Sequence, residues 1–446
     1  MTVGDSETRS LPIRGVGAGP VPLTWGQGNM WDSMAALGPA SDRLNIFWTI
    51  PVRGSVRVSE ALDRLASLLS SLDVFRATYD VESVRQVFRD EVRVEVRVTE
   101  AAADTLSGPL PTGSRKEPAS AELANRAFGM DDPQIRFGLE HVGGSVRKIH
   151  LAMSHLAFDG GCFPPLNRLV ADAVEGRGLS ALGMQTGALV EYEQSDDQVR
   201  RSDAVIDGWL STSAKLPPGR GLMAMTPGSF SVSVLRSSAA AVAVQSLAVR
   251  YGVSASGVVV SALTKVIRQH IHSDLSTLLV VCNNRSHPRL ADFVGQTIGN
   301  GLLVLPSEHP GDRFVDYAKK TYTRTLATYS RARYDCLKWR TALTDLSRRG
   351  LATDLSYYFN DVRSDRDAWS GFENRVADLK ALVEESSVET VRRRDLGDGT
   401  VFADFGGAGE QLTLQLVCDD ALIPPSDARA ALIAWENLLV TEALAA

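Results

Sequence analysis

The stretch from residue 147 to residue 174 constrains the fold most, because it joins a strand to a helix through a short loop. Apolar residues predict a strand over residues 147–153, and apolar residues at helical spacing predict a helix over residues 162–174. Between them lies the string SHLAFDG (residues 154–160), which has the pattern HxxxDG. The motif is therefore predicted in a strand-to-helix loop, where a rigid scaffold can hold a reactive side chain.

The HxxxDG motif supplies three groups that acyl transfer needs. His155 is a titratable imidazole that manages a proton near neutral pH. Asp159 carries a carboxylate that fixes local geometry, and Gly160 lets a substrate approach the backbone closely. The alternative interpretation is a histidine with satisfied hydrogen bonds in an ordinary loop.

Composition narrows the class of protein. A chain of 446 residues is too long for one core, so we expect two domains. The net charge of −6 argues against nucleic acid as a ligand, because phosphates are bound by a basic face. No apolar run reaches the roughly 18 residues of a membrane span, and we expect no membrane association.

The four cysteines have no CxxC or CxxH spacing, which favours a reducing cytoplasm over a disulfide framework or a zinc site. Cys162 lies close to the motif and could be read as a nucleophile. Because no basic partner besides His155 is evident, a packed thiol is the favoured interpretation. The other histidines show no metal-ligand cluster, and we expect no metal.

Strand and helix patterns occur in two series along the chain. Residues 1–20 are rich in Gly, Ser, Thr and Pro, which predicts a disordered lead-in. Residues 21–178 form a first half that carries the motif, and the polar, Gly-containing residues 179–200 are the candidate linker. Residues 201–446 form a second mixed half.

Four separated segments of the sequence together resemble the condensation domains of nonribosomal peptide synthetases, in the chloramphenicol-acetyltransferase-like superfamily. Residues 22–31 (PLTWGQGNMW) look like the family's opening PLSxAQxRLW, and residues 74–79 (VFRATY) look like its LRTRF strand. Residues 154–160 match HHxxxDG, except that Ser154 replaces the first histidine. Residues 284–306 resemble the family's arginine followed by IGxFxNTLPLR.

The resemblance implies an α/β fold of two chloramphenicol-acetyltransferase-like halves in a V-shaped pseudo-dimer, with the active site in a tunnel between them. It implies a free-standing condensation enzyme or an excised condensation domain, which joins a carrier-protein-bound acyl or aminoacyl thioester to an amine. The product is an amide, or an ester where a hydroxyl attacks, and the acceptor is carrier-bound or free. The phosphopantetheine arrives on the carrier protein, so we expect no bound cofactor, and we expect a monomer.

The resemblance also implies roles for the residues of the motif. His155 becomes the general base or a group that only positions the substrate. Asp159 becomes structural and pairs with an arginine from the other half, for which Arg285 is the matching position. Ser154 occupies a supporting position. Gly160 either donates its backbone N–H to the oxyanion or serves as a turn glycine.

Four further residues are candidates for lining the substrate channel. Gly161 stands where the family usually has a bulky residue, which predicts a wider channel near His155. Asn300, Tyr358 and Asn360 are polar residues at predicted strand ends near the cleft.

Two other functions fit parts of the sequence. A CoA-dependent acyltransferase of the HxxxD type has a second DFGWG motif, which residues 404–409 (DFGGAG) match without the tryptophan. A catalytically degenerate condensation-like scaffold or recruitment domain is favoured by Ser154 and opposed by His155.

Overall fold

The computed structural model describes residues 6–102, 122–178, 182–221, 225–271, 275–309, 311–363 and 371–445. The chain forms two compact units, as its length predicts. The first unit comprises Met1–Arg200 and Asn283–Ile298, and the second comprises Arg201–Cys282 and Gly299–Ala446. The prediction that residues 201–446 form one uninterrupted half is therefore wrong for residues 283–298. That segment binds the motif loop of the first unit through hydrogen bonds described below.

The strands of the first unit form two sheets. Their bounds are β1 Ser6–Arg14, β2 Ala18–Pro22, β3 Ile46–Arg57, β4 Ala77–Asp80, β5 Arg85–Phe88, β6 Glu91–Glu100, β7 Ile135–Val142 and β8 Ser145–Met153. The larger sheet has the order β1-β6-β7-β8-β3, and the smaller has the order β2-β5-β4. Strands β6 and β7 run parallel, whereas β3 and β7 pair antiparallel with β8. The HxxxDG motif follows directly after β8.

Helices cover and extend the first unit. Their bounds are α1 Trp25–Leu37, α2 Val58–Ser70, α3 Phe163–Val174 and α4 Thr186–Glu193. The next helix, α5 Asp196–Ser213, begins in the first unit and belongs to the second unit from Arg201 onward. Helix α2 shows why these segments are helical: its buried residues recur at spacings of three and four, which places them on one face. They are Ala61, Leu62, Leu65, Leu68 and Leu69. Helix α2 packs against α3, the helix that the motif loop leads into.

The prediction of a disordered lead-in is wrong from residue 6 onward; residues 1–5 lie outside the described residues. Strand β1 pairs antiparallel with β6 along its whole length, from Ser6 opposite Thr99 to Arg14 opposite Glu91. Its Ile13 side chain is fully buried. The edge of β6 supplies the backbone hydrogen-bond partners that order residues 6–14. The polar composition of residues 1–20 gives no sign of this pairing.

The predicted linker is also wrong where it is described, because residues 186–193 form α4 and α5 begins at Asp196. The side chains of Leu189 and Val190 are buried. The Asp73 carboxylate accepts the backbone N–H groups of Thr186 (2.9 Å) and Gly187 (2.8 Å) at the start of α4. A carboxylate at a helix N-terminus satisfies donors that the helix itself leaves unpaired.

The second unit is built on a seven-stranded sheet of the order β11-β10-β12-β14-β15-β9-β13. The strand bounds are β9 Thr226–Ser237, β10 Thr277–Cys282, β11 Gly299–Val304, β12 Tyr357–Asp361, β13 Ser387–Gly397, β14 Val401–Ala408 and β15 Gln411–Asp419. The helix bounds are α6 Ser238–Tyr251, α7 Ala255–Val266, α8 Phe314–Tyr329, α9 Cys336–Arg348, α10 Leu379–Glu384 and α11 Pro425–Leu444. A large apolar core lies between α6, α7, α11 and the sheet.

Within the described ranges, no single helix is both long and apolar enough to cross a membrane. Helix α6 and the segment Ala255–Gln269 reach that hydropathy only when taken together, and a bend of 107° separates them.

Candidate functional site

The motif loop of the first unit is a tight turn held by its own backbone. The N–H groups of Ala157 (3.2 Å) and Phe158 (3.1 Å) both donate to the Ser154 carbonyl oxygen. The Phe158 ring is fully buried and lies 5.8 Å, centroid to centroid, from the Phe75 ring. The turn is therefore anchored in the core, while the His155 side chain between its ends is only half-buried.

The imidazole of His155 has one nitrogen fixed and one available. Its Nδ1 lies 2.9 Å from the carbonyl oxygen of Phe158. A carbonyl oxygen only accepts hydrogen bonds, so the proton of the neutral ring is assigned to Nδ1. The Nε2 lone pair is then the proton acceptor of the ring, and it has no hydrogen-bond partner among the described residues. A histidine oriented in this way can take a proton from a reacting group.

Asp159 is fully buried, and its carboxylate is fully engaged. Oδ1 accepts the Gly161 N–H (2.8 Å) and Nη2 of Arg285 (2.6 Å). Oδ2 accepts both the N–H (2.7 Å) and the hydroxyl (3.0 Å) of Thr297. A carboxylate with these partners has no oxygen left to act as a base. Asp159 therefore fixes the loop to the segment Asn283–Ile298.

The ion pair that the resemblance implies, between Asp159 and Arg285, is present, but Arg285 lies within the first unit rather than in the second. Its side chain is 7% exposed. Besides Asp159 it donates to the carbonyl oxygens of Phe293 (2.6 Å) and Gly295 (2.8 Å). The charge is thus compensated and hydrogen-bonded, which a buried guanidinium requires.

The structure corrects the role of Gly161. A Cβ atom at this residue would overlap the Nε and Cδ atoms of Arg285, so glycine is required for the guanidinium to reach Asp159. The Arg285 side chain occupies the space that a side chain at residue 161 would need. Gly160 is the exposed glycine of the pair, and a Cβ there would meet only the Phe163 ring, at 3.9 Å.

Ser154, at the start of the motif, and Cys162, just after it, are both fully buried. The Ser154 hydroxyl accepts the Leu156 N–H at 3.3 Å, which is a supporting contact inside the turn. Burial raises the pKa of the Cys162 thiol to about 12, with the Asp159 charge adding to the effect. A thiol with so high a pKa is a poor nucleophile near neutral pH, which supports the packed-thiol interpretation.

The remaining candidates lie in the sheet of the second unit. Tyr358 is buried and stacks on Phe402, at 5.4 Å between ring centroids, so we assign it to the core rather than to a channel. The Asn360 amide donates to Asp404 at 3.0 Å. Asn300 is half-buried on β11.

The segment that resembles DFGWG, residues 404–409, begins within strand β14. Burial raises the pKa of Asp404, while hydrogen bonds from Asn360 and Gln415 lower it. Gln415 donates to Asp404 at 2.9 Å. These contacts give Asp404 a role in cross-strand pairing within the sheet.

Sequence reasoning missed two residues of the site. Thr297 supplies both hydrogen bonds to Oδ2 of Asp159, and Gln296 contacts His155 directly. Both lie immediately before the Ile298-Gly299 pair of the fourth segment. No local pattern distinguishes them, since their partners are about 140 residues away in the chain.

No protein-family model matches the sequence, and no curated protein matches it. Solved structures do match. One is the condensation domain that mediates chain release from the enacyloxin polyketide synthase, 14% identical, with a TM-score of 0.67 over 95% of this chain and 82% of that one. Another is the condensation domain of the monacolin K polyketide synthase MokA, 12% identical, with a TM-score of 0.67 over 96% and 98%.

A third similar structure is that of VibH, a condensation enzyme of nonribosomal peptide synthesis. It is 15% identical and has a TM-score of 0.65 over 93% of this chain and 95% of that one. The chain therefore has the fold of these condensation domains, as the resemblance predicts.

Proposed function

We propose that this protein is a condensation enzyme that joins a carrier-protein-bound acyl or aminoacyl thioester to an amine. The observation that carries the proposal is the orientation of His155, whose Nδ1 is tied to the Phe158 carbonyl oxygen so that Nε2 is the proton acceptor. The fold supports it, since VibH, which shares this fold, is a condensation enzyme.

In this reaction, the group that needs a base or a hydrogen-bond acceptor is the attacking amine. The amine nitrogen attacks the thioester carbonyl, the C–N bond forms, and the C–S bond breaks to release the phosphopantetheine thiol. The proton leaves the nitrogen for Nε2 of His155 and passes to the sulfur, or His155 only holds the amine by a hydrogen bond. Amines are good nucleophiles toward thioesters, so positioning supplies much of the acceleration. A hydroxyl in place of the amine gives an ester by the same steps.

The donor in this proposal arrives on an acyl or peptidyl carrier protein. A carrier protein adds surface contacts that raise the effective concentration of the tethered acyl group. We place the reaction in the cytoplasm, where the four free, buried cysteines stay reduced.

The test compares donors directly. A panel of acyl groups, each as a carrier-protein thioester and as the matching acyl-CoA, is incubated with the protein and with free or carrier-bound amines. Products are identified by mass spectrometry, and kcat/KM is measured for each donor. We expect the carrier thioester to be the better donor. An equal or better kcat/KM with acyl-CoA would favour the CoA-dependent acyltransferase, and no product with any donor would favour the scaffold.

The variant His155→Gln tests whether product formation depends on His155. Loss of a positioned acid–base group lowers the rate by about 100- to 10,000-fold, and because His155 is half-buried we expect little change in the melting temperature. The matched control is His141→Gln, since His141 is also half-buried and belongs to the first unit. Wild-type turnover of His155→Gln would remove His155 from the reaction.

A further inference from the structure

Gln296 is a fully buried amide that touches His155 at two points. Its Nε2 donates to the His155 carbonyl oxygen at 2.7 Å and approaches the Phe158 carbonyl oxygen at 3.3 Å. The same Nε2 lies 3.2 Å from Nδ1 of the His155 ring. One amide group therefore spans both ends of the short turn that carries the imidazole.

The orientation of the Gln296 amide is fixed by its other end. Its Oε1 accepts the backbone N–H of Ile298 at 2.8 Å, which only an oxygen can do. The nitrogen must then face the turn, and its two N–H groups match the two carbonyl oxygens. Since both the amide nitrogen and Nδ1 carry hydrogen, their 3.2 Å approach is not a hydrogen bond, and both groups converge on the Phe158 oxygen.

We propose that Gln296 is a positioning residue for the reaction: it holds the carbonyl oxygens of His155 and Phe158 in place and thereby fixes the imidazole as the Nδ1–H tautomer with Nε2 presented to the substrate. This inference rests on the proposed function of His155. It adds a residue that acts through the histidine, without contact to substrate.

The start of helix α1 packs against the backbone of Gln296. A Cβ atom at Gly26 would lie 2.6 Å from the Gln296 carbonyl oxygen, so the start of α1 approaches this backbone as closely as only glycine allows. The Thr24 hydroxyl also donates to that oxygen, at 3.4 Å. Helix α1 thus fixes the main chain of Gln296, and the side chain of Gln296 fixes the turn.

The experiment uses Gln296→Met, which keeps the length of the side chain and removes its hydrogen bonds. The matched control is Gln134→Met, because Gln134 is equally buried and its amide also donates to two carbonyl oxygens, those of Gly129 and Asp132. Both variants are characterised by kcat and KM. The tautomer of His155 is read from the long-range ¹H–¹⁵N correlations of its ring, assigned by their loss in His155→Gln and recorded at a pH where histidine is neutral.

We expect wild-type protein and Gln134→Met to show the Nδ1–H tautomer. Gln296→Met should lose this single-tautomer signature, and its kcat should fall about 10- to 100-fold with little change in KM, because small misplacements of reacting groups have effects of this order. An Nε2–H tautomer in the wild-type protein would overturn the proposal even if Gln296→Met does not fold. Wild-type kcat and tautomer in Gln296→Met would overturn it too. The tautomer is read from the spectrum without substrate. A failure of the positioning role of Gln296 is therefore distinguishable from a failure of the proposed function, which is tested by product formation.

Discussion

Gly161 lies directly against the Arg285 side chain, with no room for a methyl group between them. Its N–H donates to the same Asp159 oxygen that Arg285 contacts. Gly161, the Asp159 carboxylate and the Arg285 guanidinium thus form one packed cluster. This cluster joins the motif loop to the segment Asn283–Ile298. This contact explains why position 161 requires glycine, and it distinguishes Gly161 from Gly160, where a Cβ atom has room.

Gly161→Ala should destabilise the protein, because the added methyl group must displace a guanidinium that is held by three hydrogen bonds. Overpacking of this kind typically costs about 1–3 kcal/mol. Gly160→Ala is the matched control, and its effect should stay within about 0.5 kcal/mol because the site is open. Urea unfolding of both variants checks this. Equal stabilities would contradict the close packing of Gly161 against Arg285.

Asp159→Asn and Arg285→Met should each be strongly destabilising, since each leaves a buried partner charge uncompensated. Breaking a buried pair costs about 3–5 kcal/mol. The double variant should lose less than the sum of the two, with a coupling energy of about 1–3 kcal/mol.

The surface pair Arg168–Asp292 is the control for this cycle, because its side chains are 45% and 56% exposed at a distance of 3.0 Å. Its coupling should stay below about 1 kcal/mol. Both cycles are measured by denaturant unfolding. Strict additivity for Asp159 and Arg285 would show that the pair contributes nothing specific.

The folded protein should react slowly with a thiol reagent such as Ellman's reagent. All four cysteines are free and buried, and burial raises the pKa of Cys162 to about 12. We therefore expect less than one fast-reacting thiol in native protein at pH 8, and four after unfolding in guanidinium. Fast labelling of Cys162, located by mass spectrometry, would reopen the nucleophile interpretation.

The stability of the protein should depend on pH through a buried cluster in the larger sheet of the first unit. Glu140 has a lowered pKa, chiefly because the His150 ring donates a hydrogen bond to it (3.3 Å) and also because of the Lys148 charge (3.8 Å). Thr49 lies 3.0 Å from the other ring nitrogen of His150. A carboxylate with a lowered folded-state pKa stabilises the fold above its ordinary pKa, and this contribution is lost as pH falls through the folded-state value.

We therefore expect Glu140→Gln to lower the free energy of unfolding at neutral pH and to flatten its fall below about pH 5. The exposed Glu82→Gln is the control and should keep the wild-type profile. Urea unfolding at several values between neutral and acid pH gives the slopes. A Glu140→Gln profile parallel to that of wild type would remove Glu140 from the acid dependence.

Local patterns in the sequence predicted several parts of the fold well. The strand before the motif and the helix after it were both predictable, because burial on one face leaves a period in the sequence. The motif itself identified His155 and Asp159. The resemblance to condensation domains identified Arg285 and the fold.

Segments that are ordered by a distant partner were not predictable. Strand β1 owes its order to β6, which is more than 70 residues away, and α4 is capped by Asp73 from 113 residues away. Their own compositions resemble those of loops. Hydrogen bonds to a remote backbone leave no period in the local sequence, so composition alone predicted disorder and a linker.

The sequence by itself determined the chemistry that is available: one imidazole in a strand-to-helix loop, followed by a carboxylate and two glycines. Only the tertiary structure decided how that chemistry is arranged. It brought Gln296 to the His155 turn across 141 residues, and it set Gly161 against Arg285. The physical reason is that the tautomer of a histidine and the space beside a glycine are set by neighbours in the fold, and those neighbours come from far along the chain.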